Sequence, residues 1–181
     1  MLICARIVDV ENRLTNYAFI DSQNVYLSIK NQGWKIDFAK FRIFLKEKHN
    51  VAVAYLFMGY VEGNQQMYKR LQKDGYILIF KPTLIYKDGL TKGNCDAELV
   101  LHSMIEYPKY QKAVIVSGDG DFYCLAEYLR DNKKLEAVIV PDQKRYSALL
   151  KKINRSDEKY IVFLDEAKRQ IEYTHIKKKA P

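Results

Sequence analysis

The sequence predicts an α/β domain with a mainly parallel central sheet. Short apolar runs without polar alternation, longer stretches of helical spacing between them, and acidic residues where the runs end all point that way. Tyr17-Ala18-Phe19-Ile20 is the first strand and stops at Asp21. Val51 to Phe57, Tyr76 to Phe80, Ala113 to Val116, Ala137 to Val140 and Ile161 to Leu164 follow as further strands. Runs apolar on both faces suit strands covered by helices on both sides.

The helices fall between them. Phe38, Phe41, Phe44 and Leu45 repeat at helical spacing behind Asp37, a good N-cap residue. Gln65 to Lys73 and Ala97 to Ile105 read the same way, and Phe122, Leu125, Ala126 and Leu129 form a stripe opened by Asp121. Tyr146 to Ile153 reads as a short helix and Asp165 to Tyr173 as the last one. The segment from Lys81 to Lys92, with Pro82 and Gly89, and Gly93 just beyond it, reads as a loop or small hairpin ahead of a helix.

At 181 residues the chain suits one domain. Residues 1–14 read as an arm or extra strand, 15–173 as the domain, and 174–181 as a basic tail containing Lys177, Lys178 and Lys179. A hydrophobic share of 48% with 29% charged residues is that of an ordinary globular protein. The net charge of +8 attracts polyanions at long range, though a solvated basic surface has the same signature. Cys4, Cys95 and Cys124 lack metal-ligand spacing and fit thiols of a reducing compartment. The apolar start is too short for a signal peptide or membrane span, so a cytoplasmic location without membrane attachment is expected.

The chemistry concentrates in four carboxylates. Asp21 ends the first strand, Asp119 follows the fourth, Asp121 opens a helix, and Asp96 stands near the start of another. In a parallel sheet, strand C-termini and the N-termini of following helices share one edge, so these carboxylates converge if the first and fourth strands are neighbours. Carboxylates gathered this closely repel, and a divalent cation removes the conflict. Oxygen donors without His or Cys favour Mg²⁺ or Mn²⁺. Singly, each Asp has a plain structural role as a turn or cap residue. The glycines beside Asp119 are read as supplying backbone freedom and room for a ligand. Neither His49, His102 nor His175 has partners that suggest histidine-based catalysis.

Three blocks, Phe19-Ile20-Asp21-Ser22-Gln23-Asn24, Lys92-Gly93-Asn94-Cys95-Asp96-Ala97-Glu98-Leu99 and Val116-Ser117-Gly118-Asp119-Gly120-Asp121-Phe122, resemble in order and spacing those of NYN domains. The resemblance covers roughly residues 16–165 and is to the LabA-like (DUF88) branch, related to PIN nucleases. It implies a three-layer αβα sandwich with strand order about 3-2-1-4-5, and a metal-dependent endoribonuclease that hydrolyses RNA through metal-activated water. Asp21, Asp96, Asp119 and Asp121 would then be the catalytic and metal-site residues, Asn24 a polar helper, and Ser117 a hydrogen-bond partner of a metal ligand. One departure stands out: relatives often carry Asp-Gly-x-Asn, whereas this chain has Asp21-Ser22-Gln23-Asn24, which alters the turn. Glu98 is held only as a possible supporting group.

Lys81, Lys87, Lys92, Lys144 and Arg145 are candidates to track an RNA backbone, and Tyr86 or Tyr146 to stack on bases of single-stranded RNA. A homodimer is compatible with this resemblance. The alternative is an RNA-binding or regulatory module that keeps the pocket with little or no turnover. A haloacid-dehalogenase-type phosphatase wants Asp-x-Asp after the first strand, a receiver domain an acidic pair, and a dinucleotide-binding domain a Gly-rich turn; Asp21-Ser22-Gln23-Asn24 is none of these.

Overall fold

Strand β1 (Asn16–Asp21) is the spine of the molecule, with β2 (Val51–Gly59) along one side and β6 (Ala113–Val116) along the other, both parallel to it. The computed structural model describes residues 15–81, 84–85, 91–92 and 95–174. β3 (Tyr76–Lys81) continues the sheet beyond β2, while β7 (Leu135–Val140) and β8 (Ile161–Phe163) extend it beyond β6. Counting only these six strands, the order is 3-2-1-4-5-6, all parallel, so the expected five-strand order holds with a sixth strand at the edge.

The helices are α1 (Ser22–Asn31), α2 (Phe38–His49), α3 (Gln65–Lys73), α4 (Asp96–Ile105), α5 (Tyr123–Asp131) and α6 (Lys168–Ile171). They divide between the two faces, as the apolar strands require. Val25 and Ile29 of α1, Phe41 and Leu45 of α2, and Leu71 of α3 pack on one side with Ile20, Leu56 and Val116. Leu99 of α4 and Leu125 and Leu129 of α5 pack on the other with Phe19, Ile115 and Val138. Each such side chain contributes roughly 1.5–3 kcal/mol by leaving water.

The differences from expectation have local causes. Helix α1 went unread because its buried stripe is narrow: Val25 and Ile29 are buried, while Tyr26 and Leu27 face outward. Tyr146 to Ile153 is no α-helix; only Leu150–Ile153 coils, as a 3-10 turn, because Ser147 N–H is drawn to the Gly118 carbonyl at 3.0 Å. Over Asp165 to Tyr173 the chain forms a 3-10 turn (Leu164–Ala167) and then the short α6, which ends where Glu172 bridges Ile36. The segment ahead of α4 holds β4 (Leu84–Ile85) antiparallel to β5 (Thr91–Lys92), the small hairpin expected there. Residues 1–14 and nearly all of the basic tail lie outside the described residues.

Candidate functional site

The register of the central strands builds the site. Ile20 of β1 stands beside Val116 of β6, so the residues just past them, Asp21 and Ser117, emerge together at the C-terminal edge of the sheet. Asp21 leaves the strand as the N-cap of α1: its Oδ1 accepts from the Asn24 N–H at 3.0 Å, while its Oδ2 accepts from the Ser117 hydroxyl at 3.3 Å. Ser117 is buried, and its oxygen also accepts from the Asp119 N–H at 3.1 Å. One hydroxyl thus ties both strand-end aspartates. Asn24 adds a second tie, its side-chain oxygen accepting from Gly118 N–H at 2.9 Å.

Asp119 caps a 3-10 turn (Gly120–Phe122), accepting from the Asp121 N–H at 3.1 Å. Asp121 therefore lies within that turn and does not itself open the helix; α5 starts two residues later, at Tyr123. Asp96 is the first residue of α4, where the helix dipole favours an acid. Ligand atoms of Asp96, Asp119 and Asp121 all lie within 4.8 Å of one another. Asp21 is outside that triad but next to it. Its carboxyl is held above the ordinary value by burial first, against the lowering hydrogen bonds of Asn24 and Ser117, with the charges of Asp96 and Asp119 adding to the rise. An all-carboxylate donor set of this spacing, at a point where the charges already repel, fits a hard divalent cation.

Two clefts meet here. One of about 290 Å³ is lined by Asp21, Gln23, Asn24, Met58, Cys95 and Asp119. Its neighbour shares Asn24 and Asp119 and adds Asp121, Arg145, Tyr146 and Ser147. Gly118 and Gly120 are explained by this second wall. Neither has a positive φ, so backbone freedom is not what they supply. A Cβ on Gly120 would come within 3.0 Å of the Ser147 Cβ and closer still to its hydroxyl, and one on Gly118 within 3.4 Å of Tyr146. The room they leave is filled by the chain at 146–147, not kept open for a ligand.

Of the basic and aromatic candidates, Arg145 and Tyr146 line the cleft, and Tyr146 packs edge-on against Phe163 at 5.6 Å. Lys144 lines a different hollow with Asp142 and Asp165. Lys81, at the end of β3, pairs with Glu98 at 3.2 Å, so Glu98 is an ion-pair partner, not merely an exposed acid. Lys87 and Tyr86 lie outside the described residues, as does the side chain of Lys92. Ser147, Gln23 and Cys95 were not singled out from the sequence. Cys95 adjoins Asp96 within a quoted block, and the paired glycines were the available sign of a chain crossing close by. Burial, with help from Glu98, pushes the Cys95 thiol up to about 11, which makes it a poor nucleophile.

No helix among the described residues is long and apolar enough to cross a membrane. The chain is 24% identical over 153 residues to the low amplitude and bright protein LabA of Synechococcus elongatus, covering 79% of this chain and 80% of that one. In fold it is similar to a crystal structure of a Vibrio parahaemolyticus protein of unknown function, with a TM-score of 0.69 at 22% identity, covering 88% of this chain and 97% of that chain. The NYN domain model matches residues 17–164, from the first strand to just past the last. With that match spanning the whole sheet and the acidic cluster at its edge, the chain belongs to the NYN domain family, in the PIN-like nuclease superfamily and its LabA-like branch.

Proposed function

We propose that this protein is a Mg²⁺- or Mn²⁺-dependent endoribonuclease acting on single-stranded RNA. The observation that carries the reading is the convergence of Asp96, Asp119 and Asp121 within 4.8 Å beside Asp21, on a NYN domain. In this reading Asp96, Asp119 and Asp121 hold the cation, and Asp21 closes the cage directly or through water. A divalent cation in such a cage neutralises charge on the phosphoryl oxygens and acidifies a water molecule.

The remaining roles belong to the chain. Ser117 and the Asn24 N–H fix the rotamer of Asp21, so its carboxylate is oriented before substrate arrives. Asn24 and Gly118 lock α1 to the loop after β6, keeping Asp21 and Asp119 at a constant separation. Arg145, which lines the same cleft as Asp119 and Asp121, supplies a positive charge for a substrate phosphate, and Tyr146 offers an aromatic side chain there.

The test is incubation of a labelled single-stranded RNA with the protein in Mn²⁺, Mg²⁺ or a chelator. Metal-dependent internal cleavage leaving 5′-phosphate and 3′-hydroxyl ends, absent from Asp119→Asn, is expected. RNA binding without cleavage in either metal would replace the enzyme with a binding module.

A further inference from the structure

Beyond the acidic clefts lies a hollow of a different kind. It measures about 480 Å³ and runs between the start of α1, the end of β2 and α3. Its walls are mostly apolar, with Tyr26, Met58 and Met67 prominent, while Gln23 and Asn64 stand at its polar edge. Gln23 and Met58 also line the cleft that holds Asp21 and Asp119, so the two spaces adjoin through shared walls. Tyr26 is 55% exposed and Met67 46% exposed, so both present accessible apolar surface where they line the hollow.

We infer that this hollow is a nucleobase subsite, taking the base of a nucleotide next to the scissile phosphate. The inference rests on the ribonuclease reading and says where that substrate's base lies. Tyr26 follows the N-cap Asp21 by five residues on α1, about 7.5 Å of backbone rise, so one short helix carries both the acid and the ring that lines the hollow. The ammonium of Lys30 lies over a face of the same ring, 5.7 Å from its centre, a cation at hand for the adjoining backbone phosphate. The far wall is braced: the Tyr68 hydroxyl accepts from Val61 N–H at 2.8 Å and donates to its carbonyl at 3.0 Å. Met58 and Met67 supply flexible, polarizable contacts, and the amides of Gln23 and Asn64 can pair with any base edge. Aromatic and thioether walls with amide edges suit a flat heterocycle without selecting one base.

The full-length protein tests this by steady-state cleavage of a single-stranded oligoribonucleotide in Mn²⁺. Tyr26→Ala raises KM about tenfold with kcat little changed, Tyr26→Phe behaves as wild type, and Met67→Glu reproduces the loss from the other wall. The Tyr26→Ala penalty vanishes on a substrate made abasic at one position beside the cut. Unaltered KM in both Tyr26→Ala and Met67→Glu, with wild-type cleavage intact, overturns the subsite alone. Loss of a dimer on Tyr26→Ala without any change in KM overturns it in favour of a protein interface. Failure of the wild type to cleave RNA removes the ribonuclease reading and this inference with it.

Discussion

The Ser117 hydroxyl reaches the Asp21 carboxylate at 3.3 Å, although 96 positions separate them in the chain. Since the same oxygen accepts from the Asp119 N–H, the relative placement of two acids is set by one buried side chain. Ser117→Ala removes both bonds while changing little volume. Reduced Mn²⁺ affinity and roughly tenfold slower cleavage are expected, with restoration by Ser117→Thr only where its extra methyl fits. Calorimetric titration of metal into both variants checks this.

Asp119→Asn keeps the 3-10 turn, because an asparagine oxygen can accept the Asp121 N–H as the carboxylate does. Its fold therefore stays intact while its charge is lost. Cleavage falls by about a hundredfold or more, and the rise in Tm produced by Mn²⁺ in the wild type shrinks sharply. A matching far-UV spectrum with an unchanged metal response would remove Asp119 from the site.

Asp21 gives a pH signature. Its folded pKa lies above the unfolded value of 3.8, so between the two the folded form binds more protons. The metal-free protein is thus penalised when Asp21 is ionised, and that penalty is relieved as pH falls through the raised value. Asp21→Asn is expected to raise the metal-free Tm near neutrality, with the gap closing toward acid. Thermal melts in chelator from about pH 8 to about pH 4 measure it, and a constant gap would contradict the assignment.

Gly120→Ala pushes a methyl group into Ser147 and should cost about 1–3 kcal/mol. Pairing it with Ser147→Gly recovers part of that loss, since both offending atoms are gone. Denaturant melts of the two single variants and the double variant give the coupling directly.

Arg130 is a control away from the chemistry. Its guanidinium is 8% exposed and donates to the carbonyl of Ile153 at 3.1 Å while pairing with Asp131 at 3.0 Å. Arg130→Met is expected to lower stability by about 1–3 kcal/mol through the carbonyls it leaves without a donor, while the surviving folded protein keeps its metal affinity.

Much of this was legible in the chain. Runs such as Ala113–Val116, apolar on both faces, announce interior parallel strands, and Asp at their ends announces the edge where the carboxylates gather. What resisted reading was set by contacts rather than by period. Helix α1 buries only Val25 and Ile29, too sparse a stripe to stand out, and the cavity-lining places of Gln23 and Tyr26 depend on that helix. Tyr146 to Ile153 has helical spacing, yet the Ser147 N–H is taken by the Gly118 carbonyl, and only Leu150–Ile153 coils, as a 3-10 turn. The glycines around Asp119 suggest backbone freedom and room for a ligand, whereas Ser147 and Tyr146 fill the space they leave.

The position of β1 between β2 and β6 also governs when the acidic pocket can come into being during synthesis. A nascent chain ending before Val116 carries Asp21 and Asp96 but has nothing to dock along the open flank of β1. The cage closes only after residues 113–121 have left the ribosome and paired there, so a truncated product should be inert however well its first half condenses.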